Sequence, residues 1–430
     1  MANKTVRNLR SVDNSQAYTI VRAAYSQAVG ASAVDTLDLK DFVDSGVAFE
    51  SLSMSRDKFV KALIDQTVNF YNDESYKNNY DDPYYVESRR FANIVQAINI
   101  QAPQVQESHA WGNLAPYDDS GTTRKVTVGT YEVNPPIVDT SYFTKSVSWE
   151  LPIAITEEQL TDAFKSEEEL RGFVDYIFVV VDNALTQHRE DMNAANRNSF
   201  MAHKINAQRT GVGGIHKVDL LARYNAERGG LITSVAAFLA DPAALRFASA
   251  QIMLYKEYLK KQSQLFNTKG LVKFIPQDRM VIEVNSAFEN AMLETALSTT
   301  YNESIVALPD HYSVPAWQGF GVDSVESGTS AAAFNQVSKI DVTLDIQSSG
   351  TNVNVSQSGI VALIADKTAI MHTIRQSDVV SQYFPFEHLE LYAYQNRDQY
   401  MNNLAQNAVV FTIEEPVTPP VSQIRMNMKG

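Results

Sequence analysis

The feature that most restricts the possible folds of this chain is a 39-residue stretch without proline, from Ser166 to Lys204. It contains one glycine, Gly172, and it starts with Ser166 and Glu169, the spacing of a capping box at a helix N-terminus. Apolar residues then recur at helical spacing, at Leu170, Phe173, Val174, Ile177, Val181, Leu185, Met192 and Ala195. A continuous helix of this length spans about 58 Å at about 1.5 Å per residue. The stretch therefore predicts a helix much longer than the average in globular proteins.

The residues before this helix predict a long β-hairpin between Gly121 and Pro152. Two strand-like runs flank a turn signal at residues 134–136, Asn-Pro-Pro. In the second run, Val147, Trp149 and Leu151 alternate with polar residues, which is the pattern of a strand with one buried face. Such a hairpin cannot bury its apolar face by itself, so we expect another part of the protein or a neighbouring subunit to cover it.

After the long helix, the sequence predicts an alternation of helices and strands. A glycine-rich bend is expected at Gln208–Lys217, followed by a helix that begins at Asp241 with Pro242 at its first position. Phe274–Val284 is typical of a strand, and Asn285–Thr300 of a capped helix.

The next segment contains weaker signals. Residues 301–358 are expected to be rich in loops and poor in strands, with a mobile insertion at 323–336. Ile360–Ile374 predicts a buried strand, a turn and a second strand.

The last part of the chain, Phe386–Glu415, has neither Gly nor Pro and is ambiguous between helix and strand. Met401, Leu404, Ala405, Ala408 and Phe411 fit one helical face, whereas Asn402, Asn403 and Asn407 are poor helix formers. We favour long strands. Between Gln395 and Asn407, seven of 13 residues are Asn or Gln, and we predict one long return strand that is polar at first and apolar from Ala408 onward.

Composition limits the class of protein. With 36 Lys and Arg against 50 Asp and Glu, the formal net charge is −14, the wrong sign for a broad face that neutralises nucleic-acid phosphates. An acidic surface is compatible with enclosing nucleic acid without adhering to it.

The chain has no Cys, which excludes disulfides, and no run of about 18 apolar residues predicts a membrane span. We expect a soluble product made in the cytoplasm, with two or more lobes because 430 residues exceed the usual size of one core.

Residues typical of catalysis or metal binding do not form a recognisable pattern. No two of the seven His have metal-ligand spacing within one predicted element. Adjacent carboxylates at 118–119 and 157–158 are expected to be solvated, and the glycines at 211–214 lack the Lys and Ser or Thr of a phosphate-binding loop. His188 lies on the apolar stripe of the long helix, where a packed, hydrogen-bonded His is expected. We therefore predict no enzyme, no catalytic residue, no cofactor and no metal.

The order of these elements resembles the α+β fold of the major capsid proteins of tailed bacteriophages, the Hong Kong 97-type capsid fold, and most resembles that of the short-tailed phages. The strand-then-helix segment Phe274–Leu293 and the final apolar strand before Pro416 follow the same order. The resemblance implies an N-terminal arm with helices at 1–110, an E-loop hairpin at 111–155, a P-domain at 156–239 with its spine helix at 166–204, an A-domain at 240–365, P-domain return strands at 366–416 and a C-terminal tail at 417–430.

The resemblance also implies a function. It is that of a structural head protein, which assembles with copies of itself, as hexamers and pentamers, into the icosahedral shell around the double-stranded DNA genome of a phage. It implies a separate scaffolding protein, a portal and decoration proteins as partners, assembly in the host cytoplasm, a place in the virion capsid and no membrane. The expected inter-subunit contacts are Arg124, Lys125, Tyr131, Lys145, Trp149, Asn402 and Asn403.

Three alternatives are weighed against this function. One is an encapsulin-like nanocompartment shell of the same fold with a cargo enzyme inside, and another is a strand-rich carbohydrate-active enzyme. The third is a jelly-roll capsid, which the long helix disfavours because such sandwiches have strands in its place.

Overall fold

The computed structural model of this chain describes residues 58, 60–64, 84–88, 95–101, 137–143, 146–156, 158–159, 162, 165, 167–229, 232–296, 308–318, 330–346, 351–375, 379–384 and 388–415. The described helices are α1 (Glu167–Arg209), α2 (Leu220–Arg228), α3 (Val235–Ala240), α4 (Pro242–Leu259), α5 (Ser286–Ala291) and α6 (Ser330–Val337). The described strands are β1 (Tyr85–Ser88), β2 (Val95–Gln101), β3 (Ile137–Phe143), β4 (Val147–Thr156), β5 (Lys217–Asp219), β6 (Met280–Asn285), β7 (Tyr312–Val314), β8 (Ile340–Ile346), β9 (Thr351–Gln357), β10 (Ile360–Asp366), β11 (Ile370–Arg375), β12 (Val379–Phe384), β13 (Leu389–Asn402) and β14 (Ala408–Thr412).

The long helix is present as predicted and continues five residues further. α1 has 43 residues, and its apolar stripe is buried from Leu170 near one end to Ile205 near the other. Beyond α1, Gly211 takes a left-handed backbone conformation with φ of 73°. The N–H of Val212 donates to the carbonyl of Ala207, which closes the helix end. The predicted bend is therefore confirmed.

The first sheet is built around β13. β4 pairs antiparallel with β13 from Thr156 opposite Leu389 to Val147 opposite Asp398. β12 and then β11 pair antiparallel along the other edge of β13, and β1 pairs parallel with β11. The inner residues of β4 alternate with exposed ones along the strand, which confirms the predicted half-buried pattern. The first half of α1 covers this inner face.

The second sheet has the strand order β5-β14-β10-β6-β7. All seven residues of β10 and all five of β14 are buried. Leu363 and Val410 belong to a core that includes Phe200 from the second half of α1. Ile364 and Val409 belong to a second core, which includes the buried face of α4. Because both faces of this sheet are covered, its central strands have continuous apolar sequences rather than alternating ones.

The predicted start signals of two helices are confirmed. The Asp241 side chain accepts a hydrogen bond from the N–H of Ala243 at the start of α4, where Pro242 occupies the first turn. The Asn285 side chain accepts from the N–H of Ala287 and caps α5 in the same way. The strand predicted at Phe274–Val284 begins later than expected, because residues 277–279 form a 3-10 turn before β6.

The prediction that residues 301–358 are poor in strands is wrong. β7, β8 and β9 all lie in this segment, and β8 pairs antiparallel with β9 along seven residues. Val342 and Leu344 lie opposite Val355 and Val353, while the intervening positions are Asp, Asn, Thr or Ser. Asp and Asn have low strand propensity, so these polar positions concealed the alternation. Residues 330–336 of the expected mobile insertion form part of α6, and residues 319–329 lie outside the described residues.

The prediction of strands rather than a helix at the C-terminal end is confirmed, but that of a single return strand is wrong. β13 and β14 are separate strands in different sheets, joined by a turn at residues 403–407. The Oδ1 of Asn403 accepts from the N–H of Ala405 at 3.2 Å, and the Asn403 carbonyl accepts from the N–H of Gln406 at 3.1 Å. An Asn side chain that bonds its own backbone two residues on makes a tight turn without Gly or Pro.

The predicted hairpin at Gly121–Pro152 is described only in its second run, which is interrupted. β3 pairs with β2, whereas β4 pairs with β13 in the first sheet. The first run, residues 121–133, lies outside the described residues. Residues 1–110, expected to be an arm with helices, include a helical segment at residues 60–64 and the strands β1 and β2.

Candidate assembly surface

β2 and β3 form a two-stranded ladder whose exposed face is apolar. Ile98 lies opposite Thr140, and Ile100 lies opposite Val138. Because opposite residues of an antiparallel pair share a face, Ile98, Ile100, Val138 and Tyr142 lie on the same side of the ladder. Their exposed fractions are 56%, 65%, 54% and 64%. We call these four residues the ladder patch, and a cluster of large exposed apolar side chains of this kind marks a site of protein contact.

The opposite face of the ladder has apolar residues such as Ala97 and Phe143 beside polar ones, and two of its polar residues attach it to the rest of the subunit. The Nζ of Lys273 donates to the Oδ1 of Asn99 at 2.5 Å, and the Nζ of Lys269 lies 3.6 Å from the Oδ1 of Asp139. Asn99 is buried although it is polar. Burial lowers the pKa of Lys273, and nearby carboxylates oppose that effect. The ladder is therefore attached to its own subunit through polar contacts on one face, and it exposes large apolar side chains on the other.

The amide-rich turn between β13 and β14 contacts the same segment. Lys273 also donates through its Nζ to the Oε1 of Gln406 at 3.1 Å. The Nδ2 of Asn407 donates to the Lys273 carbonyl at 2.8 Å, and the Nδ2 of Asn267 donates to the Oδ1 of Asn407 at 3.0 Å. Asn267 and Asn407 are both buried. Neutral amides thus connect the two segments without the desolvation cost of buried charge.

The predicted contact residue Trp149 packs within its own subunit. Its ring centroid lies 4.6 Å from that of His188 and 5.8 Å from that of Tyr394. Its Nε1–H donates to the Oδ2 of Asp398 at 2.8 Å. The apolar face of β4 therefore packs at Trp149 on α1 of the same chain.

Trp149 belongs to a polar cluster between α1 and the first sheet, which we call the helix–sheet joint: Trp149, His188, Arg189, His372 and Asp398. Arg189 and Asp398 are fully buried. The Nε2 of His372 lies 3.5 Å from the Oδ2 of Asp398. Two further groups support the joint from β13, since the ring of Tyr400 stacks on that of His372 and the Nδ2 of Asn396 donates to the Oδ1 of Asp398 at 3.0 Å.

Both His rings of the helix–sheet joint have lowered pKa values. Burial is the largest cause for His188 and for His372, the positive charge of Arg189 acts in the same direction, and the carboxylate of Asp398 opposes it. The packing predicted for His188 is confirmed. Its Nε2, however, makes no hydrogen bond with any described residue, so the hydrogen bond expected of this ring is not found at that atom.

The second half of α1 contains a fully buried lysine. The Nζ of Lys204 donates to the carbonyls of Phe266 and Gln406, at 2.9 and 3.2 Å. Burial lowers the pKa of Lys204 to about 7. Burial, followed by the charge of Lys204, lowers the pKa of the neighbouring His216 to about 4. No carboxylate forms an ion pair with Lys204 among the residues that the structure describes.

The lowered pKa of Lys204 predicts a pH-dependent stability. The unfolded chain keeps the proton of the Lys204 ammonium group up to a higher pH than the folded chain does. The free energy of unfolding should therefore rise as pH increases from about 7 to about 9. Lys204 contributes at most about 1.4 kcal/mol per pH unit to this rise. Urea unfolding of the full-length unassembled chain at several pH values measures the slope. Lys204→Met should remove this part of the slope, whereas Lys367→Met, at an exposed position, should retain it. An equal slope in wild type and Lys204→Met would contradict the assignment.

The structure places three of the seven predicted contact residues. Trp149 lies in the helix–sheet joint, Asn402 ends β13, and the Asn403 side chain shapes the turn that follows. Their role between subunits stays a prediction. Arg124, Lys125, Tyr131 and Lys145 lie outside the described residues.

The ladder patch is not among the contacts predicted from the sequence, because the resemblance implies an arm with helices at residues 1–110. The signal for it is the alternation in Val95–Gln101, where Asn99 separates Ile98 from Ile100.

Neither a metal site nor a membrane span is found in the described part of the chain. There, no group of three or more His, Asp or Glu side chains is arranged to hold a metal ion. None of the helices in that part is long and apolar enough to cross a membrane.

Comparison with known proteins gives a family match over nearly the whole chain. Residues 19–412 match the model of a family described as Phi29-like phage major capsid protein. No curated protein matches the sequence.

Similar solved structures include the capsid of Staphylococcus phage Andhra, with a TM-score of 0.46, 10% identity and coverage of 78% of this chain and 84% of that chain. The capsid of the cyanophage P-SCSP1u has a TM-score of 0.38 and 7% identity, and covers 78% and 88% of the two chains. The mature capsid of bacteriophage PhiM1 has a TM-score of 0.36 and 7% identity, and covers 77% and 86%.

Proposed function

Because this chain belongs to the Phi29-like phage major capsid protein family, it is a structural protein of the phage head shell, and we propose that its subunits bind one another through the ladder patch. The observation that carries the proposal is the exposed apolar face of the β2–β3 ladder. Four apolar side chains are more than half exposed on this face, while Asn99 and Asp139 on the opposite face attach the ladder through Lys273 and Lys269. Exposure of such a patch in a lone subunit is costly, and its burial against a second subunit stabilises association.

We further propose that the chain follows the Hong Kong 97-type arrangement. In this arrangement α1 is the spine helix, β2 and β3 are the base of the E-loop, and the second sheet with α4 belongs to the A-domain. The order of the elements along the chain supports this assignment. The contacts expected at Arg124, Lys125, Tyr131, Lys145, Trp149, Asn402 and Asn403 form part of the same proposal, as extensions of the interface beyond the ladder patch.

The proposed assembly consists of hexamers and pentamers of this chain in an icosahedral shell, formed in the host cytoplasm. A separate scaffolding protein, a portal and decoration proteins are its proposed partners, and double-stranded DNA is its proposed content. The net charge of −14 supports enclosure of DNA without adhesion, because acidic surfaces repel phosphates. The subunit needs no catalytic residue for this role. The family match favours the phage head over the encapsulin-like and carbohydrate-active alternatives.

Ile100→Asp is expected to prevent shell assembly while leaving the subunit folded. Ile100 has the largest exposed fraction of the ladder patch, so a carboxylate there is solvated in the free subunit. The free energy of unfolding should fall by only about 1 kcal/mol, the difference in strand propensity between Ile and Asp. In an interface the same carboxylate is buried without a partner, which opposes association. Electron microscopy and sedimentation of the purified protein, expressed with its neighbouring gene products, measure assembly.

The matched control is Ile100→Val, which keeps an apolar, β-branched side chain in the strand and should assemble normally. Shells of Ile100→Asp in wild-type yield would contradict the proposed surface without affecting the family membership. If the Ile100→Asp subunit does not fold, the patch packs within the subunit and the proposed surface is wrong.

A further inference from the structure

The helix–sheet joint brings two imidazoles close to one buried cation and one buried anion. α1 contributes His188 and Arg189, β11 contributes His372, and β13 contributes Asp398. β4 contributes only the neutral indole of Trp149. The remaining polar rings that face the joint are the phenols of Tyr394 and Tyr400, and the one further carboxylate that acts on His188, that of Asp191, lies on the exposed side of α1.

Among the described residues of the joint, the guanidinium of Arg189 is the buried cation and the carboxylate of Asp398 is the buried anion. A proton on either imidazole would add a second positive charge to this pair. The oxygens of Asp398 already accept hydrogen bonds from Trp149 and Asn396. A proton on His372 would add positive charge where water is excluded, and a proton on His188 would add it at a half-buried ring, where Asp191 is too exposed to compensate for it strongly.

The direction of the resulting pH dependence follows from the lowered pKa values of the two rings. The unfolded chain protonates these His near their ordinary pKa of about 6.5, whereas the folded chain resists protonation until a lower pH. The stabilisation is therefore complete above about pH 6.5 and is lost as the pH falls below it.

We propose that the helix–sheet joint is an acid-sensitive fastening between the first half of α1 and the first sheet, closed while His188 and His372 are neutral and weakened when either is protonated. The joint lies within one subunit, so the inference does not depend on the proposed assembly surface. Its mechanical consequence is a change in how firmly α1 is held on β4 and β13. His203 and His216 lie in the second half of the α1 region and are not part of this joint.

Hydrogen exchange of the full-length unassembled chain, measured by mass spectrometry at about pH 5 and about pH 7 and corrected for intrinsic exchange rates, tests the proposal. Protection of the α1 amides at residues 183–193 should fall at the lower pH, relative to the amides of α4, because the opened joint binds protons that the closed joint resists. The double variant His188→Gln with His372→Gln should lose most of this fall. His203→Gln, a substitution on the same helix outside the joint, should retain it.

An unchanged fall in the double variant, or no fall in the wild-type chain, would overturn the proposal. If the double variant does not fold, titration of the wild-type imidazoles by NMR, assigned with the single variants, decides the question instead. Both rings should protonate below the ordinary pKa of His. A ring of the joint that protonates at or above that value would overturn the proposal.

Discussion

Replacing Gly359 with Ala is expected to lower the free energy of unfolding by at least about 3 kcal/mol. Gly359 precedes β10 with φ of 75°, and a Cβ at this position would lie 2.0 Å from the carbonyl oxygen of Ile413. The Ile413 N–H also donates to the Gly359 carbonyl at 2.8 Å, so neither backbone can move without loss of this bond. β10 and β14 are central strands of the second sheet, so the loss should affect the free energy of unfolding of the whole subunit. Urea unfolding of the unassembled chain measures it.

Gly211→Ala is the matched control. Gly211 has nearly the same backbone conformation, with φ of 73°, but a Cβ there would meet nothing within 4 Å. Its substitution should cost only the left-handed backbone term, about 1 kcal/mol. Equal losses at the two positions would show that the close approach of Ile413 is not the cause of the larger effect.

Arg197→Met is expected to lower the free energy of unfolding by about 3–5 kcal/mol, because it would leave a buried carboxylate without its cation. The Nη1 of Arg197 on α1 lies 3.0 Å from the Oε1 of Glu283 on β6, and Glu283 is 2% exposed. The Tyr84 hydroxyl donates to the other oxygen of Glu283 at 2.5 Å. The Arg197 guanidinium also lies 5.1 Å from the centroid of the Trp317 ring. Urea unfolding of the unassembled chain measures the loss.

A double-mutant cycle separates the ion pair from these packing contacts. Arg197→Met with Glu283→Met should recover a large part of the loss, because no charge then remains buried. Lys260→Met removes the exposed pair with Glu257 and should give no measurable change. If the double variant were as unstable as the sum of the single variants, the charge pairing would not be the source of the effect.

Local signals in the sequence were sufficient for the principal elements. The proline-free apolar stripe predicted α1 to within five residues at its end, and Asp241 with Pro242 predicted the start of α4. These signals succeed because helical periodicity and capping depend on residues within a few positions of one another. β8 and β9 were missed because Asp and Asn occupy their outer positions, so their strand character depends on pairing rather than on propensity.

The candidate surface was predictable only in part. The sequence indicated that the apolar face of the β-structure before α1 must be covered by another part of the protein or by a neighbouring subunit. It also predicted Trp149 as one of the inter-subunit contact residues. In the fold, Trp149 packs on His188 in its own subunit, and the exposed apolar positions are those of the ladder patch. Alternation identifies the two faces of a strand, but it does not determine which face another part of the chain will cover.

The sequence by itself determined the long helix, the helix start signals, the buried strands and, through the order of these elements, the class of protein. Only the tertiary structure decided that β10 and β11, and likewise β13 and β14, belong to different sheets although short turns connect them. It also decided that His188 and Arg189, which are adjacent on α1, share one joint with His372 and Asp398, which are distant from them in sequence. The physical reason is that helix periodicity is a local property, whereas strand pairing and the burial of charge depend on contacts between residues far apart in the chain.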